Sequence, residues 1–340
     1  MSQLSIENPI EYLSKKTTNA IKGILALVIL IHHIYKSVDI LHVPGLSLVM
    51  EAPIGYWAVA LFFFFSGYGL WSSYCAKGTA YIRSFPRRRI LPFYLIILLL
   101  TGLYILINLT LSDAKEISFS TILRSCTWGY TIIKNGWYFQ VQLLLYICFF
   151  IVSILVKDTK RALAILTGVT AVYIAVCVFL RMDAYWYQSV PAFVLGLFWS
   201  ENRERINIFV KKAGWGKATL IAVFLFFLFF AGSLVLNRMG LISLCIVLRI
   251  VSIILFVVSF TLFLMRLSRP GTAENRFLAY LGSISMGVYA MQGVFLLAFR
   301  GTVISISNDW LYSAAVITAT LLSAAVVTPL FRLIYSAFKK

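Results

Sequence analysis

Long apolar runs recur along the chain, separated by short polar or basic breaks. A helix rises ~1.5 Å per residue, so runs near 20 residues reach across a hydrocarbon core of ~30 Å. Ten such windows fall at about 20–38, 54–74, 90–111, 137–156, 162–180, 188–200, 218–236, 241–265, 279–299 and 313–335. Runs this continuously apolar exclude a transmembrane β-barrel, whose strands alternate polar and apolar positions. The sixth window, QSVPAFVLGLFWS, is short and contains Pro191, which points to a broken or lengthened helix and leaves nine spans as the alternative.

Composition agrees with that pattern. Of the 340 residues 61% are hydrophobic and 12% charged, and the mean hydropathy is +0.91; a water-soluble domain could not cover so much apolar surface. The formal charge of +18 raises nucleic acid as a partner, but 22 of the 30 Lys and Arg fall in alternate loops. That distribution records topology and contact with anionic membrane lipids, so no nucleic-acid partner is expected. It places the N-terminus inside, and ten spans then put both ends in the cytoplasm. The first fourteen residues carry Glu7 and Glu11 and no positive n-region, unlike a signal peptide. The expected fold class is therefore all-α, a polytopic membrane helix bundle. A short cytoplasmic segment (1–19) precedes one membrane domain (20–335) and a cytoplasmic tail (336–340). Five cysteines without metal-type spacing are expected to be packing residues, and no metal site is expected.

Ionisable residues at membrane depth are expensive and suggest function by default. The first span, ILALVILIHHIYKS, carries His32 and His33. His33 follows Lys22 by eleven residues, which at 100° per residue returns it to within about 20° of the same face, about 16 Å along the axis. An imidazole there suits a general base; hydrogen bonding to neighbouring helices is the equally weighted structural reading. The segment YIRSFPRRRILPFY carries Arg83, Arg87, Arg88 and Arg89 ahead of Pro92. Such a cluster either records topology or binds phosphates through charge-assisted contacts. Gln142 and Tyr146 share a helix face, so a polar pair could line a cavity.

In combination and order, these motifs resemble the acyltransferase-3 family of bacterial membrane acyltransferases. IKGILALVILIHHIYKS resembles its first helix, with a basic residue, ten intervening residues and a histidine; Lys22 stands where arginine is commoner, and the active-site histidine falls on His33, with His32 beside it. YWAVALFFFFSGYGL resembles its aromatic run into Phe-Ser-Gly at Phe65, Ser66 and Gly67. Arg89 matches the arginine nearest the proline, while Pro86 occupies the place of an earlier one, leaving Arg87 or Arg88 as its substitute. Trp137, Gln142 and Tyr146 stand where the family has tryptophan, an acidic residue and tyrosine. LAYLGSISMGVYAMQGVFLLAF resembles the late helix through Leu281, Gly282, Ser285 and Tyr289, with Gln292 where histidine is frequent. Glu51 and Asp39 are conceivable replacements for the missing acid.

The resemblance implies transfer of an acetyl or other short acyl group from acyl-CoA, as cosubstrate and not a resident cofactor, to a hydroxyl of a cell-envelope saccharide or lipid-linked glycan at the bacterial inner membrane. Lys22 and the four arginines would hold the donor. His33, His32 and Gln142 would serve the chemistry. Ser66, Trp137, Tyr146, Tyr289 and Gln292 would contact substrate, and transient acylation of His33 is a variant mechanism. Two other readings stand beside it. A transporter or lipid-glycan flippase would use His33, Lys22 and mid-span Arg249 along a transit path, and a non-catalytic scaffold would tolerate Gln142 and Gln292. The loop at about 112–136 is the expected place for acceptor contacts, and Trp57, Trp128, Trp137, Trp186 and Trp310 are expected as interfacial anchors.

Overall fold

A computed structural model describes residues 12–39, 53–111, 117–267 and 275–338. Glu7, Glu11 and Glu51, named above, and the first five residues of the loop at about 112–136 lie outside these residues. The described chain is almost entirely helical, its one bridge joining Arg300 and Ser305. Helix α1 (Lys15–Tyr35) begins where the Ser14 hydroxyl accepts from the Thr17 amide at 3.1 Å, satisfying one orphan donor of the first turn. Next come α2 (Pro53–Phe85), a π-helical turn (Pro86–Ile90) and α3 (Leu91–Leu111). The short α4 (Phe119–Cys126) leads to α5 (Trp137–Leu155), α6 (Thr159–Phe179), α7 (Pro191–Glu201) and α8 (Arg203–Ala213). The chain ends with α9 (Trp215–Arg238), α10 (Ile242–Leu267), α11 (Arg276–Ser283), α12 (Ser285–Ala298) and α13 (Asp309–Ala337).

Among the described residues, seven helical stretches are long and apolar enough to cross a membrane, or eight if the bent α11–α12 pair is one span. The ten expected windows all fall on helices, yet four differ in form. Residues 54–111 are one helical stretch of 58 residues holding two of the windows; at 1.5 Å per residue that is roughly 87 Å, almost three core thicknesses, so it must turn back on itself. It does so at Gly78, whose φ of +61° and ψ of −150° suit glycine, and at the π turn, where Pro86 has no N–H to give. The expected span at 188–200 is α7, whose eleven residues reach only about 16 Å. The expected span at 279–299 is α11 and α12, bent by 65°. Helix broken at depth must satisfy its freed carbonyls locally; here the Ser285 hydroxyl donates to Gly282 O at 2.9 Å and Arg332 to Ser283 O at 3.3 Å.

Five helices, α1, α2, α5, α3 and α12, touch in sequence and close a ring. Two contacts without room for side chains set its geometry. Gly23 of α1 lies on the backbone of Leu278 and Gly282 in α11, and Gly282 lies on Asn19 O; the Asn19 amide also donates to Ala279 O at 3.0 Å. Gly67 and Gly196 likewise seat α2 on the backbone of α7, the small-residue packing that lets helices meet where burial from water cannot drive them together. The expected anchoring role of the tryptophans fits Trp310, which is exposed. Trp137 and Trp186 are buried, and Trp57 packs among Phe226, Phe230 and Phe256 with ring centroids 5.1–5.9 Å apart.

The glycine contacts make a signed prediction. Gly282→Ala forces α1 away from α11 and should destabilise by about 1–3 kcal/mol. Gly168→Ala, on an open face of α6 with nothing near its absent Cβ, should be neutral or stabilising by up to about 1 kcal/mol. Melting in detergent, read for both variants, should move in opposite directions or leave Gly168→Ala unmoved.

Candidate functional site

One stripe of α1 carries the polar residues: Lys15, Thr18 and Lys22 toward its start, Ile29 in the middle, His33 and Lys36 at its end. Spacings of three, four and seven keep them on one face. The stripe looks into the ring, where two cavities lie end to end. The inner one, of about 610 Å³, is lined by Lys15, Thr18 and Lys22 of α1, Ser66 and Tyr81 of α2, Arg89 of the π turn, Gln142 and Tyr146 of α5, and Tyr335 of α13, among others. The outer one, of about 370 Å³, is lined by His32, His33 and Lys36 at the end of α1, Tyr56 of α2, Asn108 of α3, residues 130–135, Trp137 and Tyr185. Ile29, Val59 and Tyr289 belong to both walls, so the two cavities adjoin there. Both volumes lie in the range of small-molecule sites.

The inner cavity has Lys15, Lys22 and Arg89 on its walls and no carboxylate among its described lining residues. Lys22 and Arg89 are close enough to repel each other, and the Arg89 guanidinium sits among Tyr81, Tyr146 and Tyr335. Cations gathered around one apolar-walled space focus a positive potential and are suited to a polyanion. Gln142 is buried; its amide oxygen accepts from the Tyr138 hydroxyl at 3.3 Å and its nitrogen has no hydrogen-bond partner. Ser66 faces the same space. Arg83, Arg87 and Arg88 do not line it; like Arg89 they are exposed, but Arg87 borders an apolar groove on the outside of the bundle with Pro86, Leu91 and Tyr94.

At the outer cavity His33 is half-buried, its ring 5.4 Å from that of His32. Its Nδ1 is buried without a hydrogen-bond partner, so the cavity reaches another part of the ring. Gln292 of α12, fully buried, has its amide within hydrogen-bonding reach of His33. His32 is buried with its Nε2 edge over Gly55 of α2, a place closed to any larger residue. Tyr289 donates to Asn135 O and packs on Tyr138 and Phe139 at 5.3 and 5.2 Å, tying the shared wall to the loop above it. Tyr185, outside the spans, donates to Asp183 at 2.8 Å; burial first, then that bond and charge, push it up to about 12, so it remains a neutral hydroxyl. Asp39, the other acid considered, lines neither cavity; its backbone N–H donates to Asp309.

A family model of an acyltransferase domain matches residues 17–329, nearly the whole chain. The chain belongs to the acyltransferase-3 family. Neither the curated proteins nor the solved structures gave a match. For this acyltransferase-3 protein, the positions carried over from the resemblance divide between the cavities: Lys22, Ser66, Arg89, Gln142 and Tyr146 around the inner one, His32, His33 and Trp137 around the outer one, and Tyr289 at both. Gln292 lies behind His33.

Several lining residues escaped the sequence reading. Lys15, Thr18 and Lys36 continue the stripe of Lys22 and His33 and were legible by spacing; Tyr335, almost 250 residues from the Arg89 it faces, gives no local signal. Gln140 was also missed. Its amide nitrogen donates to Arg124 O, Ser125 O and Tyr130 O at 3.1, 2.7 and 2.6 Å, and the Ser125 hydroxyl accepts from the Ile132 amide at 3.0 Å. These bonds fold the loop between α4 and α5 over the outer cavity. Gln140→Ala leaves buried carbonyls unpaired and should cost about 1–3 kcal/mol. Hydrogen exchange should show protection lost across residues 124–135 while α1 keeps its own.

Proposed function

We propose that the protein transfers an acetyl or other short acyl group from acyl-CoA to a hydroxyl of a cell-envelope saccharide or lipid-linked glycan, in the bacterial inner membrane. The observation that supports this reading is the division of one helix face: Lys22 stands with Arg89 in the inner cavity, His33 in the outer, and Ile29, Val59 and Tyr289 belong to the walls of both. The basic loops favour the cytoplasm for the inner end. Acyl-CoA enters there, its phosphates toward Lys22 and Arg89, and its pantetheine arm carries the thioester up to Tyr289. The saccharide occupies the outer cavity beneath the loop at residues 130–135. His33 takes the proton of the acceptor hydroxyl as its oxygen attacks the thioester carbonyl. A C–O ester bond forms, the C–S bond breaks, and the CoA thiolate leaves with the proton that His33 carried. The buried amides of Gln142 and Gln292 supply dipoles where the family uses ionisable groups, so His33 works here without a described carboxylate to orient it.

Acceptor-dependent release of CoA thiol by purified protein tests this. His33→Ala should lower turnover by at least about a hundredfold, the low end of general-base contributions. Arg89→Ala should raise the KM for acetyl-CoA about tenfold and leave kcat nearly unchanged, as loss of a charge-assisted phosphate contact does. Full activity of His33→Ala removes the mechanism. Movement of a glycan across vesicles without any acyl donor would favour transport instead.

A further inference from the structure

The outer cavity carries a charge pattern that acyl transfer does not require. Lys36 and Lys134 both line it with His33, and both ammonium groups lie within electrostatic reach of that ring. No carboxylate stands among its described lining residues, and neither lysine forms an ion pair with a described one. Asp183 sits behind the wall, engaged by Tyr185.

Both lysines are seated by structure. Lys36 caps α1, its amide donating to His32 O at 3.3 Å, and lies one turn beyond His33 on the same face. Partial burial lowers it from the ordinary lysine range, the direction expected of an ammonium taken from water without a counter-charge. Lys134 rests on α12: its Cβ and carbonyl lie so close over Gly293 that no side chain fits there. The next residue, Asn135, holds φ at +61° while its carbonyl receives the Tyr289 hydroxyl, and Gln140 fastens the loop behind it. Both lysines are exposed toward one small space without a described counter-charge, and a ligand anion placed between them supplies one.

We propose that the outer cavity selects an anionic saccharide, whose carboxylate or phosphate binds Lys36 and Lys134 and thereby sets a neighbouring hydroxyl at His33. This deepens the function proposed above and rests on it for the role of the hydroxyl, whereas recognition of the anion does not depend on catalysis. Trp137, Tyr185 and Tyr130 on the same walls supply flat faces for the sugar ring, and Asn108 and Asn135 supply polar groups.

Two readouts keep the failures apart. In the first, purified protein without acyl donor is melted with glucose, glucuronic acid, glucose 1-phosphate or inorganic phosphate. Glucuronic acid, glucose 1-phosphate or both should raise the melting temperature at concentrations where glucose does not, and which of them does so identifies the anion. Lys36→Gln and Lys134→Gln should each raise the half-saturating concentration about tenfold, with Lys36→Arg and Lys134→Arg restoring most of it. In the second, acetyl-CoA is added and thiol release followed; the stabilising sugar should stimulate release at least tenfold more than glucose. Equal response to glucose, a full shift with inorganic phosphate alone, or no loss in either glutamine variant overturns the proposal. Stabilisation by the sugar anion without thiol release leaves the anion site standing and removes the transferase reading.

Discussion

The backbone contact between α1 and α11 fixes the rotation of the helix on which the site is built. Gly23 can approach α11 only because it has no side chain, and Lys22, 100° around the helix, is turned by that contact into the ring. Rotation by one residue would pack the polar stripe, Lys22 with it, against α11. A charge and unpaired polar groups at a packed face would then be penalised, so the glycine contact and the polar stripe specify the same rotation. The bend between α11 and α12 belongs to this arrangement. It lets α11 serve as the platform for the start of α1 while α12 leans across to place Tyr289 and Gln292 beside His33.

Much of this was legible in the sequence because it follows from period and cost. The expensive residues of the first span, eleven apart, lie on one face, and Gln142 with Tyr146 line one cavity, as i and i+4 on a helix allow. An all-helical membrane bundle followed from the length of the apolar runs. The number and shape of the crossings did not, because a hydropathy window measures apolar length and says nothing of direction. It read two apolar windows in what is one helical stretch over residues 54–111, and it merged α11 with α12, since Ser283, Ile284 and Ser285 are no more polar than many intact turns. The arginines show the same limit. Four sit within seven positions, but the π turn gives only Arg89 to the cavity, and π turns have no reliable sequence signature. Gln140 was invisible for another reason: all its partners are backbone carbonyls, which any sequence provides.

Two glutamines stand where the resemblance to the family implies ionisable groups, and their neutrality bears on the electrostatics of both cavities. With Gln142 and Gln292 neutral, the described walls of both cavities carry cations and no carboxylate. Burial of a lone charge is costly, and partners or ligands offset it. Arg89 is surrounded by Tyr81, Tyr146 and Tyr335 in place of anions, and Lys22 shares the cavity with them. Oriented hydroxyl dipoles soften the repulsion without cancelling the positive potential. A carboxylate in the place of Gln142 would have neutralised part of that potential and competed with a phosphate for the same cations.

The division into two cavities is itself a requirement of working across a membrane. On the proposed function, one continuous wet channel of this width would pass ions and protons, while two chambers that share Ile29, Val59 and Tyr289 keep apolar and aromatic surface between donor and acceptor. Dewetting of a narrow apolar constriction is enough to block ions. A thioester and a short acyl chain are uncharged and slender, so they cross apolar surface at little cost, whereas the phosphates of the same molecule do not. On the proposed function the shared wall therefore sorts the donor by its own chemistry, retaining the anionic end among Lys22 and Arg89 and admitting the reactive end to His33. Tyr289 is suited to that place because its ring belongs to the apolar barrier while its hydroxyl is committed to Asn135, linking the shared wall to the position of the loop that carries Lys134.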